Sequence, residues 1–136
     1  MTRFALASYS ALFGSMLFLA VPGGAAQAPG PSPMLTRLEA GRWELRGQNN
    51  GLLRAICLGN PILLAQPQHG TTACTRDVVD ADEGSMTVNY VCPGIGRGRT
   101  TIRFETPRLV QIDSQGLDRG MPFALRAEAR RVGACG

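Results

Sequence analysis

The chain has 136 residues and a formal charge of +4, and every one of its 14 basic residues is arginine. This length holds one small domain, which leaves no room for a multi-domain enzyme. The arginines are scattered among acids, as codon usage in a high-GC genome would give. No basic run lies beside stacking aromatics, which argues against a nucleic-acid partner.

Residues 1–28 read as a secretory signal. Arg3 charges a short n-region, Ala11 to Val21 form an apolar run, Pro22-Gly23-Gly24 break it, and Ala26-Gln27-Ala28 fits the small-x-small rule for cleavage after Ala28. The apolar run is shorter than the roughly 20 residues of a membrane span. No cysteine stands at a lipoprotein cut, so no stable membrane span is expected after cleavage. Residues 29–37, opening on Pro29-Gly30-Pro31-Ser32-Pro33, are expected to form a flexible Pro-rich leader, and residues 38–136 a single β domain.

From there the dominant period is two. Trp43 and Leu45 alternate with Arg42, Glu44 and Arg46; Met86, Val88, Tyr90 and Cys92 alternate with Thr87 and Asn89. Ile102 and Phe104, then Val110 and Ile112, then Phe123, Leu125, Ala127 and Ala129 repeat the pattern, so each segment predicts a half-buried strand. Leu52–Leu58 and Ala73–Val79 are further strands, although Arg54 and Arg76 each interrupt one face. Turn signals fall at Asp82–Ser85, Pro93–Gly98, Thr106-Pro107 and Gln115–Gly120. The single short helix is expected from Pro61 to about Ala65, capped by Asn60. The fold class is therefore all-β, an antiparallel meander of six to eight strands forming a small barrel or an open half-barrel.

Cys57, Cys74, Cys92 and Cys135 include no C-x-x-C pair, which speaks against a zinc ribbon or a thioredoxin-type site. Behind an export signal they predict two disulfides. Three connectivities are open; the favoured one joins Cys57 to Cys74 and Cys92 to Cys135.

Few residues suggest chemistry. His69, the only histidine, lies in the polar stretch Gln66-Pro67-Gln68-His69-Gly70 and reads as an exposed loop residue rather than a general base, and no serine stands in a nucleophile motif. Gly94-Ile95-Gly96-Arg97-Gly98-Arg99 invites a phosphate-cradle reading, yet a strand follows it rather than a helix. It reads instead as a hairpin whose glycines supply positive φ. Arg97 and Arg99 are nonetheless the first candidates for an anion. Asp80, Asp82 and Glu83 crowd one turn without EF-hand spacing and read as a solvated turn. No cofactor and no metal is expected.

In order along the chain, Gly41-Arg42-Trp43-Glu44, Ile56-Cys57-Leu58, an isolated Cys74, Tyr90-Val91-Cys92 and Arg131-Val132-Gly133-Ala134-Cys135 carry a resemblance. Over roughly Leu38 to Cys135 the chain resembles the bacterial family filed as domain of unknown function 3617, small exported proteins with four cysteines. The resemblance implies a periplasmic, disulfide-bearing β domain with no assigned reaction and no catalytic residues. Many members of that family have lysine-rich surfaces, and this chain departs from them in having no lysine. A fainter likeness is to lipocalin-like barrels, whose first-strand G-x-W tryptophan is covered by an arginine from a late strand; Trp43 with Arg126 or Arg130 would fill those places.

The expected function is non-enzymatic: binding of a small apolar molecule or another envelope component on the concave face, lined by Trp43, Tyr90, Phe104 and Phe123. The alternative is a structural or stress-related envelope protein that acts through protein contacts and takes no ligand.

Overall fold

A computed structural model describes residues 32–136; the signal segment and its cleavage point lie outside the described residues. Seven strands form one antiparallel sheet: β1 (Gly41–Gly47), β2 (Leu52–Leu58), β3 (Thr75–Ala81), β4 (Ser85–Cys92), β5 (Gly96–Thr106), β6 (Leu109–Asp118) and β7 (Met121–Gly133). Two 3-10 turns accompany them, η1 (Leu35–Arg37) and η2 (Pro61–Ala65). Asn60 caps η2 as expected, its Oδ1 accepting from the Ile62 N–H at 3.2 Å. Among the described residues no helix is long and apolar enough to cross a membrane.

The strand order is β2-β1-β7-β6-β5-β4-β3, so the sheet is open, with β2 and β3 as free edges. Strands β3 to β7 form a simple meander. The N-terminal hairpin β1–β2 joins beside the last strand. This order has a physical consequence for residues 59–74: they must carry the chain from one edge of the sheet to the other, and a sheet face is the only route. They cross the inner face, and Leu64, Ala65, Gln66, Pro67 and His69 are buried on the way.

The core lies between that crossing and the inward rows of the sheet. Trp43 and Leu45 of β1, Ala127 and Ala129 of β7, Val110 and Ile112 of β6, Ile102 of β5, and Met86 and Val88 of β4 are all buried. Register sets large beside small: Leu45 faces Ala129, which faces Val110, while Ala127 faces Ile112. Such alternation lets neighbouring layers interdigitate. Met34 and Leu35 also belong to this core, so the packed unit begins inside the span expected as leader. Two apolar side chains within four residues of the proline run supply the reason, since burying them removes apolar surface from water.

Two segments expected as loops are strand. The β4–β5 turn is confined to Cys92-Pro93-Gly94-Ile95, where the Ile95 N–H reaches the Cys92 carbonyl at 3.0 Å and Gly94 has φ +72°. Proline then glycine at the two central positions is the type II signature. Gly96 and Gly98, expected to supply positive φ, instead pair within β5. At the other hairpin Asp118 pairs with Met121, and Arg119 and Gly120 both have positive φ, the type I′ geometry that suits a two-residue connection.

The disulfides join Cys57 to Cys135 and Cys74 to Cys92, which overturns the expected Cys57–Cys74 and Cys92–Cys135 pairing. Register explains the result. Arg42 of β1 has Cys57 as its partner on one side and Gly133 on the other, so the C-terminal tail needs only two more residues to bring Cys135 to Cys57. Thr75 faces Val91, which sets Cys74 opposite Cys92. Cys57 and Cys74, in contrast, belong to opposite edges of the sheet.

Candidate functional site

The concave face is not open to a ligand where the sequence suggested. Trp43 is 0% and Tyr90 1% exposed. The Trp43 indole N–H donates to the Glu39 carbonyl at 3.0 Å. Phe104 is partly buried and covered by the Arg37 guanidinium, 3.7 Å from the ring centroid. Phe123 is also partly buried, against His69. The lipocalin-like cover over Trp43 is absent: Arg126 pairs with Asp113 and Arg130 with Glu128, all on the polar outer face.

His69 is buried at 7% exposure rather than displayed on a loop. Its Nδ1 lies 3.0 Å from the Tyr90 hydroxyl and its Nε2 3.8 Å from the Asp118 carboxylate. The ring meets Tyr90 and Phe123 edge-on, at centroid distances of 5.4 and 5.9 Å. Glycines make room for it: a Cβ on Gly96 would fall 2.6 Å from His69 Nε2, and one on Gly98 2.6 Å from the Tyr90 ring. The transverse row Tyr90–Gly98–Gly116–Phe123 is thus two glycines between two aromatics. Ser114 and Thr100 share a 2.7 Å hydrogen bond beneath. Burial pushes the Tyr90 phenol above its ordinary pKa of 10.0; the Ser114 hydroxyl works against that rise and the Asp118 carboxylate adds to it. Both serine and histidine are enclosed here, and the cluster anchors the crossing segment to β4–β6. Gln68 reinforces the anchor by donating to Asp118 at 3.2 Å.

Arg97 and Arg99 project from the outer face of β5, where they border a shallow groove of about 620 Å³ that Tyr90, Leu117, Pro122 and Phe123 also line, so four of the six expected binding residues meet there. Arg99 reaches Asn89 Oδ1 at 3.4 Å. Asp82 accepts from the Gly84 and Ser85 N–H groups at 2.7 and 2.6 Å, which explains the acidic turn without an ion.

Two further clefts with apolar linings lie one on each side of η2, where the free edges of the sheet leave the crossing uncovered. The β2-side cleft, about 520 Å³, is lined by Leu45, Ile56, Leu63, Leu64 and Pro67, with Arg54 at its border. The β3-side cleft, also about 520 Å³, is lined by Leu35, Ile62, Val78 and Met86, with Arg76 and Ser32. Both volumes lie within the 300–1,000 Å³ common for small-molecule sites. No family model, curated protein or solved structure matches the chain.

Sequence reasoning missed these clefts but held their signal. Arg54 faces Leu45 in register and Arg76 faces Tyr90, so each arginine occupies an inward position of an edge strand. A charge on an inward row is either edge protection or part of a site.

Proposed function

We propose that this chain is an exported, periplasmic, non-enzymatic domain that binds a small apolar molecule in the β2-side cleft. The observation that carries the reading is the cleft itself: five apolar side chains around about 520 Å³, with Arg54 as the charged group at its border. Apolar walls with one or two fixed polar groups are the usual composition of a small-molecule site. Two disulfides and the absence of a membrane-crossing helix among the described residues are consistent with export. The resemblance to the four-cysteine exported family supports the same address.

The test is native mass spectrometry of protein exported to a bacterial periplasm, followed by titration with a neutral naphthalene-type fluorophore. A co-purified mass lost on denaturation, or fluorophore binding that Leu63→Trp abolishes by filling the cleft, supports the reading. Binding that Leu63→Trp leaves intact would remove the cleft from consideration.

The second reading, a protein-contact role without ligand, draws on the β2 edge. Leu52 and Leu53 are 54% and 52% exposed on a strand whose outer hydrogen-bonding side is unpaired among the described residues. Concentration-dependent association lost in Leu53→Lys would favour it.

A further inference from the structure

We infer that the β3-side cleft is a second site, specific for a small amphiphile with a singly charged carboxylate head, held between Arg76 and Ser32. The argument starts from unmet hydrogen-bonding capacity. Among all described residues, four side chains hold a buried polar atom without a partner, and two of the four, Arg76 Nε and Ser32 Oγ, line this one cleft. An arginine N–H can only donate, and its fork geometry matches a carboxylate. The Arg76 Nε–H therefore lacks an acceptor, and an anionic oxygen seated in the cleft would supply one.

Two other polar side chains there are already committed. Asn60 Oδ1 caps η2, and the Thr36 hydroxyl donates to the Pro33 carbonyl at 2.8 Å. Asp77 borders the cleft too, but it belongs to the exposed row of β3, alternating with the inward Arg76 and Val78. Arg76 has no ion pair with any described carboxylate. A single cation selects a single negative charge over a polyanion. Leu35, Ile62, Val78 and Met86 then provide the surface for an alkyl tail.

This site is distinct from the β2-side cleft, and each can fail alone. The experiment is an NMR titration of the exported, disulfide-bonded protein with decanoate, decanol and acetate, following backbone amides and the Arg76 Nε–H resonance. The expected result is saturable binding of decanoate that shifts Arg76 Nε–H and the amides of Leu35, Ile62, Val78 and Met86. Decanol and acetate bind at least about tenfold more weakly, since each lacks one half of the recognition. Arg76→Gln reduces decanoate to the level of decanol, and Ser32→Ala weakens it to a smaller degree. Should Arg76→Gln fail to fold, Arg76→Lys keeps the charge but not the fork, and the wild-type Nε–H signal reads the contact directly. Equal binding of decanoate and decanol, an unmoved Arg76 signal, or shifts confined to Ile56 and Leu63 each overturn the inference. If the neutral fluorophore still enters the β2-side cleft in that case, only the present inference falls.

Discussion

The two free edges of this sheet face the same problem and meet it differently. Each is a strand of seven residues, each carries an arginine on its inward row, and each is fastened by a disulfide. On β2 the guanidinium of Arg54 turns to the crossing segment and donates to the Gln68 carbonyl at 3.4 Å, and the strand beside it leaves Leu52 and Leu53 exposed. On β3 the Arg76 Nε–H is buried with no acceptor. The lesson is that an inward charge at a sheet edge is not one device. It protects an edge when it can reach a carbonyl, and it points to a ligand when burial leaves it with nothing to donate to.

The disulfides sharpen the contrast most. Cys57–Cys135 joins residues 78 apart in sequence and Cys74–Cys92 residues 18 apart. On the loop-entropy model, replacing the first pair by serine lowers stability by about 4–5 kcal/mol and the second by about 3 kcal/mol. Urea unfolding of the two double variants reads the difference; equal losses would mean that chain entropy does not govern these edges.

Next in size is Arg76→Leu, which removes a buried donor without an acceptor and fills part of its cleft. We expect a gain of about 1 kcal/mol in urea unfolding, a stabilising change at the expense of the proposed site. Arg54→Leu breaks only a long hydrogen bond at an exposed position, so its unfolding midpoint stays within about 0.5 kcal/mol of wild type, while light scattering shows increased self-association from the adjoining Leu52 and Leu53.

The smallest effect belongs to the anchor between the edges. The raised pKa of Tyr90 means that the folded chain holds the phenolic proton more tightly than the unfolded chain. This contribution is fully present below the unfolded value of about 10 and is lost as pH rises through the higher folded value. Tyr90→Phe is expected to remove that alkaline decline from a plot of stability against pH. An unchanged slope would place the decline on other groups.

Much of the architecture was legible because local physics wrote it. The bounds of β2 and β4 are those the sequence predicts, β4 from clean alternation and β2 despite Arg54 on one face, and Asn60-Pro61 marks the start of η2. The failures at His69, at Gly96 and Gly98 and at the cysteines share one cause, the non-local crossing from β2 to β3. Gln66 to Gly70 has the composition of a surface loop, yet topology drives it inside, where Gln66 satisfies its amide nitrogen on the Gly70 and Thr72 carbonyls. The same crossing buries His69. It also explains Gly96 and Gly98, which read as turn residues but are strand positions cleared for the His69 and Tyr90 rings. The cysteine pairing failed because proximity in sequence is a poor guide when consecutive strands occupy opposite edges. The candidate clefts were visible only as two arginines that spoiled an alternation.

The pairing of β1 with β7 sets a timetable. A chain that enters an oxidising compartment from its N-terminus presents Cys57 and Cys74 first, with neither native partner yet across. A bond between those two would tie together residues of opposite edges and block the sheet. Cys92 follows and can capture Cys74 within the β3–β4 hairpin, whereas Cys57 must wait for Cys135, 78 residues further on. Under the proposed export, correct maturation of this small domain would depend on keeping the Cys57 thiol reduced until Cys135 has arrived, or on an isomerase that undoes the early mistake.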